Sequence, residues 1–297
     1  MGYNMIEKFL RYIQFEKRYS PHTLTSYKTD LFQFQLYLEK EYELSDSSMA
    51  SFLMIRSWIV SLVDEQISPK SINRKIASLK SYYKFLLRNE VIQKDPTLKL
   101  KNPKVKKSLP SFVEEANLSH LLNSVEFEDS FFGKRDKLIF ELFYGTGIRL
   151  SELISLTEKS IDLYGKTLRV IGKGNKERVI PINQNLITLL KSYVIEKKEY
   201  FGNNTVEALI VTNKNQPSYP MFIQRIVLKY LKMVTTLDKK SPHVLRHTFA
   251  THMLNKGADL NAIKELLGHT SLAATQVYTH NSLEKLKKVF NQAHPKA

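Results

Sequence analysis

Through the first third of the chain, apolar and polar positions alternate with a helical period. Met5, Phe9 and Ile13 share one face of the opening segment. Ser20 and Pro21 then carry the signature of a helix start, a capping hydroxyl followed by a proline in the first turn, and Leu24, Tyr27, Leu31, Phe34 and Leu38 follow at spacings of three and four. A third stripe, Ile55, Trp58, Ile59 and Leu62, precedes a second Ser-Pro start at Ser68 and Pro69. That start leads into Ile72, Ile76, Leu79, Tyr83 and Leu86. These stripes predict a small helical bundle over residues 1–94. Residues 95–110, rich in lysine and holding three prolines, show little periodicity and read as a basic linker. Helical patterns resume from 111 to the end of a second domain, 111–297. They are interrupted by one hairpin pattern, "TLRVIGKGNKERVIPI", with Gly174-Asn175 suited to a tight turn. Residues 184–234 read as helices around a short strand at "ALIVT", and the C-terminal region as three more helices. The expected fold is mainly α with a small β-hairpin in the C-terminal domain, in two domains.

Composition narrows the function. The 297 residues suffice for two cores. No apolar run approaches the ~20 residues of a membrane span, and the charged N-terminus lacks the unbroken apolar stretch of a secretory signal. The expectation is a cytoplasmic protein that makes no use of a membrane. Zero cysteines exclude disulfides, thiol nucleophiles and thiolate zinc sites. The net charge of +16 is large, and it is spread evenly: nineteen basic against eleven acidic residues up to Lys107, twenty-six against eighteen beyond. An excess of this kind attracts a polyanion, and its even spread suits a protein that grips nucleic acid with both parts. Candidate phosphate contacts are Lys70, Arg74, Lys75 and Lys80 on the fourth helix and Lys104, Lys106 and Lys107 in the linker, although a solvated basic face fits nearly as well.

The segment "SPHVLRHTFATHMLNKGADLNAIKELLGHTSLAATQVYTH", 241–280, concentrates the candidate chemistry. His243, His247 and His252 invite a zinc reading, but residues 243–252 hold no Glu or Asp to serve as ligand or base, and no metal is expected. His247 and His252 read as helix packing or surface groups. His243 follows Pro242 in a first helical turn, three residues before Arg246, where amide donors and the helix dipole favour an anion, with Ser241 as a plausible cap. A phosphate fits there. Taken singly, Arg149 reads as a surface or ion-pair arginine beside Glu152, Lys173 as a turn lysine, His269 as a residue next to a helix cap and Tyr278 as a core aromatic.

Taken together and in order, "GTGIRLSEL", "GKGNKER", "SPHVLRHTFATH" and "LLGHTSLAATQVYTH" closely resemble the boxes of the tyrosine recombinase (phage integrase) family. "YSPHTLTSYKTDLFQF" and "SINRKIASLKSYYKFL" resemble its N-terminal core-binding domain, and the two termini look most like the Xer branch, which resolves chromosome dimers. The resemblance implies a two-domain C-clamp. It also implies that Tyr278 attacks the scissile phosphate to leave a 3′-phosphotyrosyl link, with His243 as general base and Lys173 protonating the leaving 5′ oxygen. Arg149, Arg246 and His269 would stabilise the phosphate. No cofactor or ATP is implied, because the phosphotyrosyl bond conserves the energy for rejoining. The implied partners are double-stranded DNA carrying a recombination site, three further protomers forming a homo- or heterotetramer with a second Xer-type recombinase, and an FtsK-type DNA translocase. The apolar stripe Leu283, Leu286, Val289 and Phe290 is expected to dock on a neighbouring protomer. Alternative readings are a mobile-element integrase, a type IB topoisomerase-like nicking-closing enzyme and a non-catalytic DNA-binding protein. The absence of an arm-binding segment before the first helix favours the Xer type.

Overall fold

The computed structural model of the chain describes residues 2–105, 111–125, 127–172, 176–202, 205–268 and 280–294, without the side chains of 2–4 and 280–285. The chain divides into two compact units, Met1–Ser108 and Leu109–Ala297.

The N-terminal unit is helical. It comprises α1 (Gly2–Arg11), which runs into a π-helical turn at Tyr12–Glu16, α2 (Pro21–Tyr42), α3 (Phe52–Asp64) and α4 (Pro69–Arg88). The starts read from sequence are present as hydrogen bonds: Ser20 Oγ accepts from Thr23 N and Ser68 Oγ from Ser71 N, both at 3.3 Å, each with proline next in the chain. Phe9, Ile13, Leu31, Phe34, Leu38, Ile55, Trp58, Leu62, Ile72, Ile76, Leu79, Tyr83 and Leu86 all bury in one cluster, so each stripe faces the same core.

The expected basic face of α4 is partly turned to other work. Lys75 is buried, and its ammonium reaches Asp30 Oδ1 at 3.3 Å and bonds to Gln33 Oε1. Asp30, wholly buried on α2, also accepts from Arg74 and from Ser78 Oγ at 2.8 Å. A buried carboxylate needs such partners to offset its desolvation, and Lys75 is thereby removed from any surface that phosphate reaches. The linker expectation also needs correction. Thr97 and Leu100 are buried, Lys80 Nζ donates to Leu100 O at 3.3 Å and Asn73 Nδ2 to Pro103 O at 3.0 Å. The stretch therefore begins as part of the N-terminal unit, docked along α4. Lys70 and Lys104 are exposed; Lys106 and Lys107 lie outside the described residues.

The C-terminal unit contains α5 (Glu115–Asn123), α6 (Phe131–Thr146), the short α7 (Leu150–Ile154), strands β1 (Ile161–Asp162), β2 (Thr167–Ile171) and β3 (Glu177–Pro181), then α8 (Gln184–Phe201), α9 (Pro220–Val234), α10 (Pro242–Asn255), α11 (Leu260–Leu267) and α12 (His280–Ala293). The strands form an antiparallel sheet in the order β1-β2-β3, one strand more than the predicted hairpin. The register sets Leu168 opposite Ile180 and Val170 opposite Arg178. The expected strand at "ALIVT" makes only isolated bridges, Ala208 with Thr157 and Val211 with Pro217. Its Leu209, Ile210 and Val211 are buried because the segment threads through the core rather than along a sheet.

The stripe of α12 also differs from expectation. Leu286 and Phe290 are buried in the core of their own unit, together with Ala293, and His294 Nε2 beyond them donates to Tyr144 O at 3.2 Å. In the single chain, Leu286 and Phe290 of this helix pack on its own unit, with Val289 half-buried beside them. Leu283 lies among the side chains not described. No helix among the described residues is long and apolar enough to cross a membrane.

Candidate active site

The site begins where α6 stops. Gly147 follows Thr146 with φ of 61°, and a Cβ there would stand 2.4 Å from the Phe249 ring, so only glycine makes this turn. The turn buries Ile148 and delivers Arg149 to the N-terminus of α7. There Glu152 reaches back: its Oε2 accepts the Arg149 backbone N–H at 2.7 Å and its Oε1 accepts Arg149 Nη1 at 2.8 Å. Arg149 Nη2 donates to Gly268 O at 3.0 Å, and the side chain stays about one third exposed.

Arg246, in the second turn of α10, is 7% exposed. It donates through Nη1 to Gly147 O and through Nη2 to Leu267 O, both at 2.6 Å. Burial, with the nearby Arg149 charge adding to it, lowers its pKa to about 9, which leaves it protonated at neutral pH. Arg149 and Arg246 thus hold neighbouring carbonyls at the end of α11. Each has five N–H donors, and two of them on each arginine go to these described partners. Arg246 is fixed by carbonyl oxygens alone, and Arg149 by a carbonyl and by Glu152, a carboxylate that Arg178 also bonds; guanidiniums held in this way suit the binding of an anion.

His243 is exposed in the first turn of α10, its ring centroid 4.7 Å from that of His247 in an edge-to-face arrangement. Pro242 occupies the predicted first-turn position, but Ser241 makes no side-chain capping bond. His252 points the other way, buried with Nδ1 3.0 Å from Tyr144 Oη, as a packing histidine. Among the described residues no three His, Asp or Glu side chains gather as a metal site. Lys173, His269 and Tyr278 lie outside the described residues. Gly172 and Gly268, the residues just before Lys173 and His269, are described.

Sequence reading missed the group that ties the site together. Arg178 on β3 is buried and meets Glu152 with both nitrogens of its fork, Nη1 to Oε1 at 2.7 Å and Nη2 to Oε2 at 2.8 Å. Its Nε donates to Leu266 O at 2.8 Å. Burial alone raises the Glu152 pKa, but the hydrogen bonds and charge of Arg178, followed by the backbone and side chain of Arg149, overcome it and hold the carboxyl at about 2. The missed signal was the strand alternation: Arg178 shares the inward face with Ile180, so a charge there requires a buried partner.

Known proteins resemble the chain over nearly its whole length. The phage integrase family model matches residues 111–285, and the N-terminal SAM-like domain model of phage integrases matches 6–90. The chain is 36% identical to tyrosine recombinase XerC of Chlorobaculum parvum, over 98% of this chain and 94% of that one. It is 35% identical to tyrosine recombinase XerD of Staphylococcus haemolyticus, over 99% of both. Among solved structures, the fold matches that of the XerH site-specific recombinase bound to a palindromic difH substrate, with a TM-score of 0.71 and 22% identity over 89% of this chain and 78% of that one. The chain belongs to the phage integrase family: it is a tyrosine recombinase, an enzyme of site-specific recombination that cuts and rejoins DNA through a tyrosine intermediate.

Proposed function

We propose that this recombinase acts at a dif-type site in double-stranded DNA and resolves chromosome dimers during cell division. In this reading Tyr278 is the nucleophile. A phenol with a pKa of ~10 is a poor attacking group at neutral pH, and His243 accepts its proton as the bond to phosphorus forms. The 5′ oxygen leaves with a proton from Lys173, a 3′-phosphotyrosyl link remains, and the reverse attack by a new 5′-hydroxyl rejoins the strand. Arg149 and Arg246, with His269, bind the nonbridging oxygens as negative charge grows on them. Preorganised donors of this kind are each worth ~10²–10³ in rate. The observation that carries the reading is the pair of guanidiniums fastened to the consecutive carbonyls Leu267 and Gly268, with a single carboxylate, Glu152, among three arginines.

The active form in this reading is a tetramer on two duplexes, homomeric or shared with a second Xer-type recombinase and activated by an FtsK-type translocase. Lys70, Arg74, Lys80 and Lys104 are the described candidates for backbone contacts. The test is a nicked suicide duplex carrying a dif-type site, scored on a denaturing gel for covalent protein–DNA adduct in chelator and without ATP. The wild type is expected to form adduct, Tyr278→Phe to form none while binding the duplex normally, and Lys173→Ala to form it far more slowly. Adduct formation by Tyr278→Phe, or near-normal cleavage by Lys173→Ala, contradicts the assignment. Supercoil relaxation without strand exchange points instead to a nicking-closing enzyme.

A further inference from the structure

Arg178 has no place in the chemistry just described, yet it makes three hydrogen bonds beside it. Its fork engages both oxygens of Glu152, and its Nε donates to the carbonyl of Leu266. It also packs where side chains are missing. A Cβ on Gly268 would stand 3.1 Å from Arg178 Cδ and Nη1, and one on Gly172 would stand 3.4 Å from Glu152 Oε1. A buried arginine on β3 thus spans β3, the start of α7 and the end of α11.

The charge count gives this bridge its meaning. Glu152 carries one negative charge and is bonded by two arginines. With Arg178 present, the bidentate pair neutralises Glu152, and the charges of Arg149 and Arg246 are left in excess for an anion. Without it, Arg149 is the one charged group among the described residues still bonded to the buried carboxylate, which draws that guanidinium into a pair of its own.

We infer that Arg178 is a positioning residue for strand cleavage: it satisfies Glu152 so that Arg149 keeps its charge and orientation for the scissile phosphate. This rests on the proposed role of Arg149. The protein's own chemistry supplies a rescue test, because removing the charge of Glu152 together with that of Arg178 restores the excess of positive charge. Glutamine at 152 still offers an oxygen to the Arg149 N–H.

The experiment measures single-turnover cleavage of the nicked suicide duplex at saturating protein, with duplex affinity and thermal unfolding followed separately, for the wild type, R149A, R178M and the double variant E152Q/R178M. R178M is expected to cleave ~10–100-fold more slowly, the scale set by an ångström of misplacement, with affinity little changed. The double variant is expected to recover most of that loss. A purely structural role predicts a double variant no better than R178M. Wild-type rates in R178M, or a folded double variant as slow as R178M, overturn the inference while R149A remains slow. Normal cleavage by R149A overturns the clamp reading and the inference with it. Should R178M not fold, R178K retains the neutralising charge and is expected to cleave within about tenfold of the wild type; a folded R178K slower than that also overturns the inference.

Discussion

Glu152→Gln keeps the shape of a buried side chain and removes the one acid among three arginines. In the folded protein the carboxyl titrates at about 2, against 4.5 for a free glutamate. At 1.36 kcal/mol for each pH unit of difference, the ionised form contributes about 3 kcal/mol to stability at neutral pH. Breaking a buried pair by removing one partner gives the same scale, ~3–5 kcal/mol, because Arg178 is left buried without its counter-charge. For a unit of this size that lowers the midpoint of thermal unfolding by roughly 6–12 °C. The pH dependence is specific. Because the folded value lies below the unfolded one, the contribution is complete above about pH 5, falls by about half near pH 3 and vanishes below pH 2. Calorimetry of the full chain from pH 8 to pH 3 measures it, with the fluorescence of Trp58, the sole tryptophan and buried in the N-terminal unit, as the reference. A deficit below about 1 kcal/mol at pH 7 refutes the reasoning. So does a deficit that changes between pH 8 and 6, where Glu152 does not titrate.

Two further outcomes follow from the packing. Phe290→Ala is expected to destabilise the C-terminal unit by ~3–5 kcal/mol in urea unfolding at dilute protein, since the ring is 1% exposed in the core of its own unit; a loss under ~1 kcal/mol would mean that α12 does not pack there in the single chain. His252, whose pKa burial lowers below its usual 6.5, stabilises the fold while neutral. That stability is complete above about pH 6.5 and is lost as the pH falls below it, since the unfolded chain takes up the proton first. His252→Gln should therefore flatten the stability profile between pH 7 and 5, and an unchanged slope would assign the loss to another group.

The helices were legible because their apolar stripes and Ser-Pro starts are local signals, and at Ser20 and Ser68 local chemistry agrees with the final packing. What lay beyond the sequence was long-range. Lys75 reads as a surface cation until α2 brings Asp30 against it, and Leu100 reads as linker until α4 offers it a groove and a lysine. "ALIVT" carries a strand composition, yet the core around it asks only for apolar bulk. At the site, Arg149 was singled out through the ordered motifs, and Arg246 through its spacing from His243 at a helix start as well. Arg178 was passed over because a hairpin arginine is ordinarily solvent-facing, and only the face it shares with Ile180 distinguishes it.

The last turn of α11 acts as a comb. Leu266, Leu267 and Gly268 present their carbonyls in chain order to arginines from β3, α10 and the start of α7. One residue added to or removed from that turn rotates every following carbonyl by about 100°, and all three teeth lose their partners at once. Most helix ends absorb a change of one residue in length. This one admits substitutions that leave the backbone alone and rejects insertions and deletions, so drift in length between relatives has to accumulate elsewhere in the unit.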